Sequence, residues 1–190
     1  MKNIKRKLYI IPGHGDKIIN RNYRNLIRSV GGGFAVVPIK YTFSKQHSFS
    51  KVVERVKKQI PEDCSQDIIF GFSTGALIAY QLSSQIKFHL VLVCSISSIL
   101  NKDLLLYPKK EVEKIFSDAQ IKELSGMKYA RPISPFVLFY GTSETSEVIK
   151  RTKKLHTDFG GDLIPVVKAE HKLSENYVNT IGKYIVSKKL

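Results

Sequence analysis

The sequence predicts an α/β fold, a three-layer α/β/α sandwich around a mostly parallel sheet of six strands. Short β-rich runs alternate with helical patterns along the chain, which is typical of stacked βαβ units. Most of the β-rich runs are continuously apolar, as strands buried on both faces are. The length of 190 residues, with 43% hydrophobic side chains, fits one domain with one core. We therefore expect a single domain over residues 1–190.

The first half of the chain predicts two strands and two helices in alternation. The apolar runs Leu8–Ile11 and Phe34–Ile39 are the strands. The first helix, at 17–30, is ended by three glycines, and its apolar stripe is Ile19, Tyr23, Leu26 and Val30. The second helix, at 50–60, is ended by Pro61, and its apolar stripe is Val52, Val53, Val56 and Ile60.

The second half continues the alternation. Four further apolar runs predict strands at Asp67–Phe70, His89–Val93, Phe136–Tyr140 and Leu163–Val167. Helical patterns follow them at 74–86, 109–124, 146–159 and 174–187. If the second and third strands pair on opposite sides of the first, a ligand-binding crevice is expected where the strand order reverses. Right-handed crossovers would then carry the first two helices to opposite faces of the sheet.

Basic residues dominate the composition, with 31 Lys plus Arg against 16 Asp plus Glu and a formal net charge of +15. Residues 1–60 alone hold 14 basic and 2 acidic side chains. Seven of the basic side chains form outward stripes on the first two predicted helices. The stripe on the first is Lys17, Arg21, Arg24 and Arg28, and the stripe on the second is Lys51, Arg55 and Lys58. Such stripes attract an acidic protein, an anionic membrane or, as the weaker expectation, a nucleic acid. Equally, they are ordinary solvated faces that keep the protein soluble.

Cysteine usage and hydropathy predict a cytoplasmic protein without a membrane span. Cys64 falls in a predicted loop and Cys94 at the end of a predicted buried strand, a pattern of reduced structural thiols. No apolar run approaches the roughly 20 residues that cross a bilayer, and Leu8–Ile11 is too short for a secretory signal core. No His, Cys and carboxylate set has metal-ligand spacing, so neither a metal nor an organic cofactor is expected.

The most informative motif is Gly71-Phe72-Ser73-Thr74-Gly75, a G-x-S-x-G pattern between a predicted strand and a predicted helix. A serine on such a tight turn has strained backbone torsions, and small residues are needed where the turn crowds itself. Its hydroxyl then projects above the sheet, and the helix N-terminus favours developing negative charge. The alternative is an ordinary glycine-rich turn between a strand and a helix.

A nucleophilic serine needs a base and a group that orients the base. His171 follows the last predicted strand, and Glu144 follows the strand that ends at Tyr140. Both therefore lie on loops at the carboxyl edge of the sheet, where ligands bind. Glu147 and Asp103 compete with Glu144 for the role of the acid. Alternatively, the histidine is merely solvated and the glutamates simply begin a helix.

The order Ser, acid, His with a G-x-S-x-G turn resembles the α/β-hydrolase superfamily over nearly the whole chain, including the segment from Tyr9 to Gly15, YIIPGHG. The resemblance implies an α/β-hydrolase fold that lacks the leading antiparallel strands. It implies that Ser73 attacks an acyl carbonyl, His171 takes and returns the proton, and Glu144 holds the imidazole. The oxyanion would bind backbone N–H groups of Thr74 and of Asp16 or Gly15.

Substrate contacts are expected from residues near the predicted nucleophile, namely His14, Phe72, Leu104 and Leu105. His14 is a substrate-contacting or loop-shaping residue, or only a structural one. Asp16 is an awkward neighbour, because an inward carboxylate would oppose the oxyanion. Residues 97–135 are a long apolar connection that predicts either a lid over Ser73 or a crossover helix with a loop.

The sequence thus predicts a serine hydrolase of carboxylic esters or thioesters that works through an acyl-enzyme and without a cofactor. Its substrate would be a small acyl compound, and the basic surface would suit an acyl group presented on an acidic carrier protein. The competing hypothesis is a non-catalytic protein that keeps the scaffold and holds an acidic partner or a nucleic acid through its basic helices.

Overall fold

The computed structural model describes residues 5–97, 113–114 and 116–188. Its sheet has six strands, β1 Arg6–Ile11, β2 Phe34–Pro38, β3 Cys64–Phe72, β4 Phe88–Cys94, β5 Phe136–Gly141 and β6 Asp162–Val166. Their order is β2-β1-β3-β4-β5-β6, and every neighbouring pair is parallel. The predicted sheet is confirmed, and it is entirely parallel rather than mostly so.

The strand order places a switch point between β1 and β3, as the sequence predicts. Register pairs Ile11 with Gly71, Gly71 with Val93 and Cys94 with Phe139. The carboxyl ends of the four central strands therefore form one edge. Loops that follow these strands meet at that edge, which is where parallel sheets bind ligands.

The described helices cover both faces of the sheet. They are α1 Arg21–Ser29, α2 Phe49–Lys57, α3 Thr74–Leu82, α4 Asp118–Gly126, α5 Ser146–Phe159 and α6 Glu175–Ser187, with a 3₁₀ turn at Gly31–Gly33. Buried side chains of α1 and α6 share one core cluster, and those of α2 and α3 share the other. The three-layer arrangement is confirmed, and so is the placement of α1 and α2 on opposite faces.

Strand alternation explains the two cores. Along β1, Leu8 and Ile10 enter the cluster beneath α1 and α6, while Tyr9 and Ile11 enter the cluster beneath α2 and α3. All four side chains are almost fully buried. A continuously apolar run is therefore what a strand covered on both faces requires.

The first helix begins later than the sequence predicts. Two turns precede it, in which Asp16 N–H donates to Gly13 O at 3.0 Å and Asn20 N–H donates to Lys17 O at 2.9 Å. Ile19 was expected in the apolar stripe, but it is 69% exposed, because it lies in these turns and not on α1. The prediction that Cys64 lies in a loop is also wrong, because Cys64 is buried at the start of β3.

The described part of the connection after β4 packs against the sandwich. Of the helix predicted at 109–124, residues 113–114 and α4 are helical, but Phe116 and Ser117 between them are not, and Ser117 is the N-cap of α4. Glu123 on α4 accepts hydrogen bonds from the first N–H groups of α2, Phe49 N at 2.7 Å and Ser50 N at 2.9 Å. Residues 98–112, with the predicted Asp103, Leu104 and Leu105, lie outside the described residues. Within the described ranges, no helix is long and apolar enough to cross a membrane.

Candidate active site

Ser73 occupies a strained turn between β3 and α3. Its backbone has φ 53° and ψ −117°, and residues other than glycine rarely adopt a positive φ. The two flanking glycines are required by contact: a Cβ at Gly71 would lie 2.2 Å from Gly75 O, and a Cβ at Gly75 would lie 2.2 Å from Ile11 O. The turn is thus wedged between its own backbone and β1, and Ser73 stands at the N-terminus of α3.

His171 lies within hydrogen-bond distance of the serine. The Oγ atom of Ser73 is 2.9 Å from Nε2 of His171, although the two residues are 98 positions apart. The imidazole side chain is 38% exposed. On its inner side the ring faces Phe72, with 6.0 Å between ring centroids. Of the predicted substrate contacts, Phe72 is thus buried beneath the histidine, where it supports the ring.

Among the described residues, Glu144 is the acidic side chain brought to the histidine. Its Oε2 atom is 3.7 Å from His171 Nδ1, and the side chain is fully buried. The competing Glu147 instead lies on α5, where it accepts a hydrogen bond from Ser146 Oγ at 2.9 Å. A hydroxyl group lies closer to Nδ1 than the carboxylate does: Ser95 Oγ is 2.8 Å from it.

The Glu144 carboxylate is held by several partners. Its Oε1 atom accepts hydrogen bonds from the Gly141 N–H at 3.2 Å and from the Tyr177 hydroxyl. Burial raises the pKa of a carboxyl group, but His171, Ser95 and Tyr177 outweigh burial and hold the pKa of Glu144 below its ordinary value. Burial raises the pKa of Tyr177 above its ordinary value, so its phenol stays protonated and donates. The site therefore holds a buried carboxylate anion beside the imidazole.

Ser95 and Tyr177 are functional candidates that the sequence reasoning missed. Ser95 directly follows β4, so its position at the carboxyl edge could be predicted from the strand pattern. Tyr177 lies on α6 and is fully buried, and in sequence it looks like any aromatic residue of an apolar helix face. No spacing rule marks such a tyrosine as a carboxylate partner.

The predicted oxyanion donors differ in their availability. Thr74 N–H is the first of α3 and, among the described residues, has no hydrogen-bond acceptor, as expected at a helix N-terminus. Asp16 N–H is already donated to Gly13 O at 3.0 Å. Gly15, with φ 77°, has an N–H without an acceptor in the described part of the chain. Of the two donors predicted from this loop, Gly15 is therefore the one still open to an oxyanion.

A cavity of about 220 Å³ opens beside Ser73, and both polar and apolar side chains line it. The lining includes Ser73, His171 and Phe72, together with His14, Asp16, Asn20, Asn22 and Lys172. The His14 ring also packs edge-on against Phe43, with 5.7 Å between centroids. No three His, Cys, Asp or Glu side chains of the described residues lie together as metal ligands.

Asp16 faces the cavity and is anchored there. Its Oδ2 atom accepts a hydrogen bond from the Tyr23 hydroxyl at 3.0 Å, and that hydroxyl in turn accepts the Gly13 N–H at 3.0 Å. A Cβ at Gly13 would lie 2.9 Å from Oδ2 and 3.5 Å from Ser73 Cβ. The carboxylate therefore folds inward over its own turn, close to the serine.

The parallel sheet, the serine on its strand-to-helix turn and the histidine after the last strand together define an α/β-hydrolase fold. No protein-family model and no curated protein matches the sequence. Solved structures do match. Est1E from Butyrivibrio proteoclasticus, with bound ferulic acid, has a TM-score of 0.77 at 10% identity over 97% of this chain and 88% of that one.

Two further structures show the same fold. Alpha/beta hydrolase domain-containing protein 10 from mouse has a TM-score of 0.75 at 11% identity, over 96% of this chain and 88% of its own. The RedJ thioesterase from the prodiginine pathway of Streptomyces coelicolor has a TM-score of 0.67 at 13% identity, over 95% of this chain and 84% of its own. The likeness spans nearly the whole chain and most of each solved structure, so the described residues have the α/β-hydrolase fold.

Proposed function

We propose that this protein is a serine hydrolase that cleaves a carboxylic ester or thioester through an acyl-enzyme. The observation that carries the proposal is the 2.9 Å contact between Ser73 Oγ and His171 Nε2 at a strained strand-to-helix turn. A nucleophile and a base within hydrogen-bond distance, with a buried carboxylate behind the base, form the arrangement that activates a serine. The esterase and thioesterase names among structures of this fold agree with this reaction class.

The reaction follows from the geometry in two halves. Ser73 Oγ attacks the acyl carbonyl carbon while His171 Nε2 takes the hydroxyl proton. Thr74 N–H and Gly15 N–H stabilise the resulting oxyanion, and collapse expels the alcohol or thiol, which receives the proton from His171. A water molecule then attacks the acyl-enzyme with His171 again as base, and the free acid and Ser73 are released.

The acyl group is presented to this protein by an acidic carrier protein. The predicted α1 stripe is exposed: Arg21, Arg24 and Arg28 lie on α1, and Lys17 lies in the turns just before it. Among the described residues, none of these four cations has an ion pair. The residues just before and within α1, Asn20 and Asn22, line the cavity beside Ser73. The stripe therefore begins at the mouth of the site. An acyl group on an acidic carrier protein is the substrate form that this charge would guide to the serine.

The proposal is tested with a chain-length series of p-nitrophenyl esters and with Ser73→Ala and His171→Ala. Each variant is expected to lower kcat by about 10⁴-fold or more, because the residues act as one unit. Matched controls are Ser84→Ala and His156→Ala, which remove the same side chains far from the site. In the structure Ser84 Oγ donates to Gln81 O at 2.8 Å and His156 Nδ1 lies 2.9 Å from Gly161 O. Both controls should retain the activity of the parent.

A fluorophosphonate probe gives a second readout, because it labels an activated serine whatever the natural acyl group is. Labelling of the parent and not of Ser73→Ala is expected. An unlabelled parent that also hydrolyses no ester or thioester would contradict the proposal. If Ser73→Ala then still bound an acidic protein or a nucleic acid, the non-catalytic binding protein would be the better account.

A further inference from the structure

Ser95 contacts the base of the site more closely than the acid does. Its Oγ atom is 2.8 Å from His171 Nδ1, whereas Glu144 Oε2 is 3.7 Å from the same nitrogen. A distance of 2.8 Å is a hydrogen bond, and 3.7 Å is too long for one. The carboxylate oxygen Oε2 is buried and accepts no hydrogen bond from the described residues. The geometry therefore leaves a base bound to a hydroxyl and an acid with one oxygen free.

The backbone at Ser95 is strained and firmly held. Its φ is 52°, and the residue is completely buried. Its N–H donates to Phe139 O at 2.8 Å, and two residues later Ser97 N–H donates to Ser73 O at 3.2 Å. Glycine would adopt this conformation without strain. Non-glycine residues with strained backbone torsions are concentrated at functional sites, so the Ser95 hydroxyl is a candidate functional group.

The required tautomer of His171 fixes the direction of the hydrogen bonds. His171 Nε2 can accept the Ser73 proton only if the neutral ring carries its hydrogen on Nδ1. Nδ1–H then donates to Ser95 Oγ. The Ser95 proton is left to donate elsewhere, and Glu144 Oε2 is the open acceptor.

We propose that Ser95 is a positioning residue that accepts the Nδ1–H of His171 and donates its own proton to Glu144, so that the acid orients the base through a serine hydroxyl. No proton is transferred along this chain. The hydrogen bonds hold the ring in the tautomer that can accept the Ser73 proton. Through the Ser95 hydroxyl, the negative charge of Glu144 also stabilises the imidazolium that forms. The role rests on the proposed serine hydrolase function.

Removal of the hydroxyl in Ser95→Ala and Ser95→Gly tests the role. Both variants are expected to lower kcat by roughly 10- to 100-fold with KM unchanged, which is less than the about 10⁴-fold cost of a wholly wrong tautomer. Ser95→Gly relieves the positive φ, so its Tm should not fall below that of the parent. Ser83→Ala is the matched control, because Ser83 is also completely buried and its Oγ donates to Tyr80 O at 2.6 Å. It should leave kcat unchanged.

Nitrogen NMR of the imidazole gives a readout that lost packing would not move. At alkaline pH, where imidazoles are neutral, the parent should hold His171 as the Nδ1–H tautomer, and both Ser95 variants should show a mixture. This measurement needs no turnover. A parent that neither hydrolyses nor labels would overturn the serine hydrolase function, while the tautomers would still decide the role of Ser95.

A double-variant cycle with Glu144→Gln tests whether the acid acts through the serine. If it does, the double variant Ser95→Ala and Glu144→Gln should have a kcat within about 3-fold of that of the less active single variant. Effects that multiply would show that the two residues act separately. That result, or Ser95 variants with parental kcat and an unmixed Nδ1–H tautomer, would overturn the proposal.

Discussion

Backbone strain at the scale of single residues is concentrated on one side of this molecule. Ser73, Ser95 and Lys168 are the described non-glycine residues with positive φ, at 53°, 52° and 55°. The hydroxyl groups of the first two contact opposite nitrogens of His171. Lys168 lies in the loop that carries His171, and its N–H donates to Thr142 Oγ1 at 2.9 Å. Strain of this kind persists where the surrounding structure fixes it, and here it aims the groups around one imidazole.

Glu144 should make stability depend on acid pH. Its folded pKa is lowered, so its stabilising effect is present above the ordinary carboxyl pKa and is lost as pH falls through the folded value. In Glu144→Gln the donors remain, but they lose the charge-assisted part of their hydrogen bonds. At about pH 7 the parent should therefore be more stable by about 1–2 kcal/mol. At about pH 3, below the ordinary carboxyl pKa, the difference should be smaller.

Urea unfolding of the parent and Glu144→Gln at both pH values measures this difference. Glu62→Gln, at an exposed position, is the control and should follow the parent within about 0.5 kcal/mol. A gap between the parent and Glu144→Gln that stays constant or widens toward acid pH would show that Glu144 is not a stabilising anion in the folded protein.

The turn from β3 to α3 is the element on which the site depends most. Gly75 lies where α3 crosses β1, and a Cβ there would meet backbone oxygens of Ile11 at 2.2 Å and Pro12 at 2.4 Å. Backbone cannot move aside as the end of a flexible side chain can. Gly75→Ala should therefore destabilise the protein by about 3 kcal/mol or more. The displaced Ser73 should lower kcat by about 10²-fold in the fraction that folds.

Gly126→Ala provides the comparison for this variant. Gly126 is the last residue of α4, and a Cβ there would have no neighbour within 4 Å. Alanine in a helix is favoured over glycine by roughly 0.5–1 kcal/mol, so this variant should be as stable as the parent or slightly more so. Thermal unfolding and ester turnover of both variants decide the matter, and equal behaviour of the two would refute the close-packed turn.

The elements show which structural features the sequence pattern could predict. Apolar runs located all six strands, most clearly the central ones, because a strand covered on both faces is apolar in its buried part. The edge strands β2 and β6 are only partly buried. The start of α1 was wrong, because the two hydrogen-bonded turns over residues 13–20 are set by backbone contacts that helical periodicity does not record. The pattern for the third helix continued to residue 86, whereas α3 ends at Leu82, where Ser83 Oγ turns back to Tyr80 O.

At the scale of the whole molecule, the strand order assembles the site from distant parts of the chain. The meeting of Ser73, His171 and Glu144 could be predicted, because loops after parallel strands share one edge. The place of Ser95 at this edge could be predicted too, but its contact with His171 and that of Tyr177 with Glu144 could not, since both depend on distances between side chains. The carboxylate at the cavity also depends on packing, because the Tyr23 hydroxyl holds Asp16 there.

The same topology separates the two basic stripes, so they serve as each other's control. The α1 stripe is Arg21, Arg24 and Arg28 with Lys17 just before the helix, and the α2 stripe is Lys51 and Arg55 with Lys58 just after the helix, all of them exposed. The α1 stripe starts at the cavity mouth, where Asn20 and Asn22 line the pocket, while α2 packs on the opposite face of the sheet. An acidic carrier that delivers an acyl group to Ser73 would therefore meet α1 and not α2.

Neutralising each stripe by glutamine substitutions should consequently have different effects on turnover of a carrier-linked acyl thioester. The α1 variant should lose about 10-fold or more in kcat/KM at low salt, because steered association is lost, and its remaining activity should depend less on ionic strength. The α2 variant should match the parent, and both should hydrolyse small p-nitrophenyl esters normally. Equal losses in the two variants would mean that general positive charge, and not a docking surface, attracts the carrier. An unchanged α1 variant would mean that the basic helix is a solvated face and that the substrate reaches Ser73 without it.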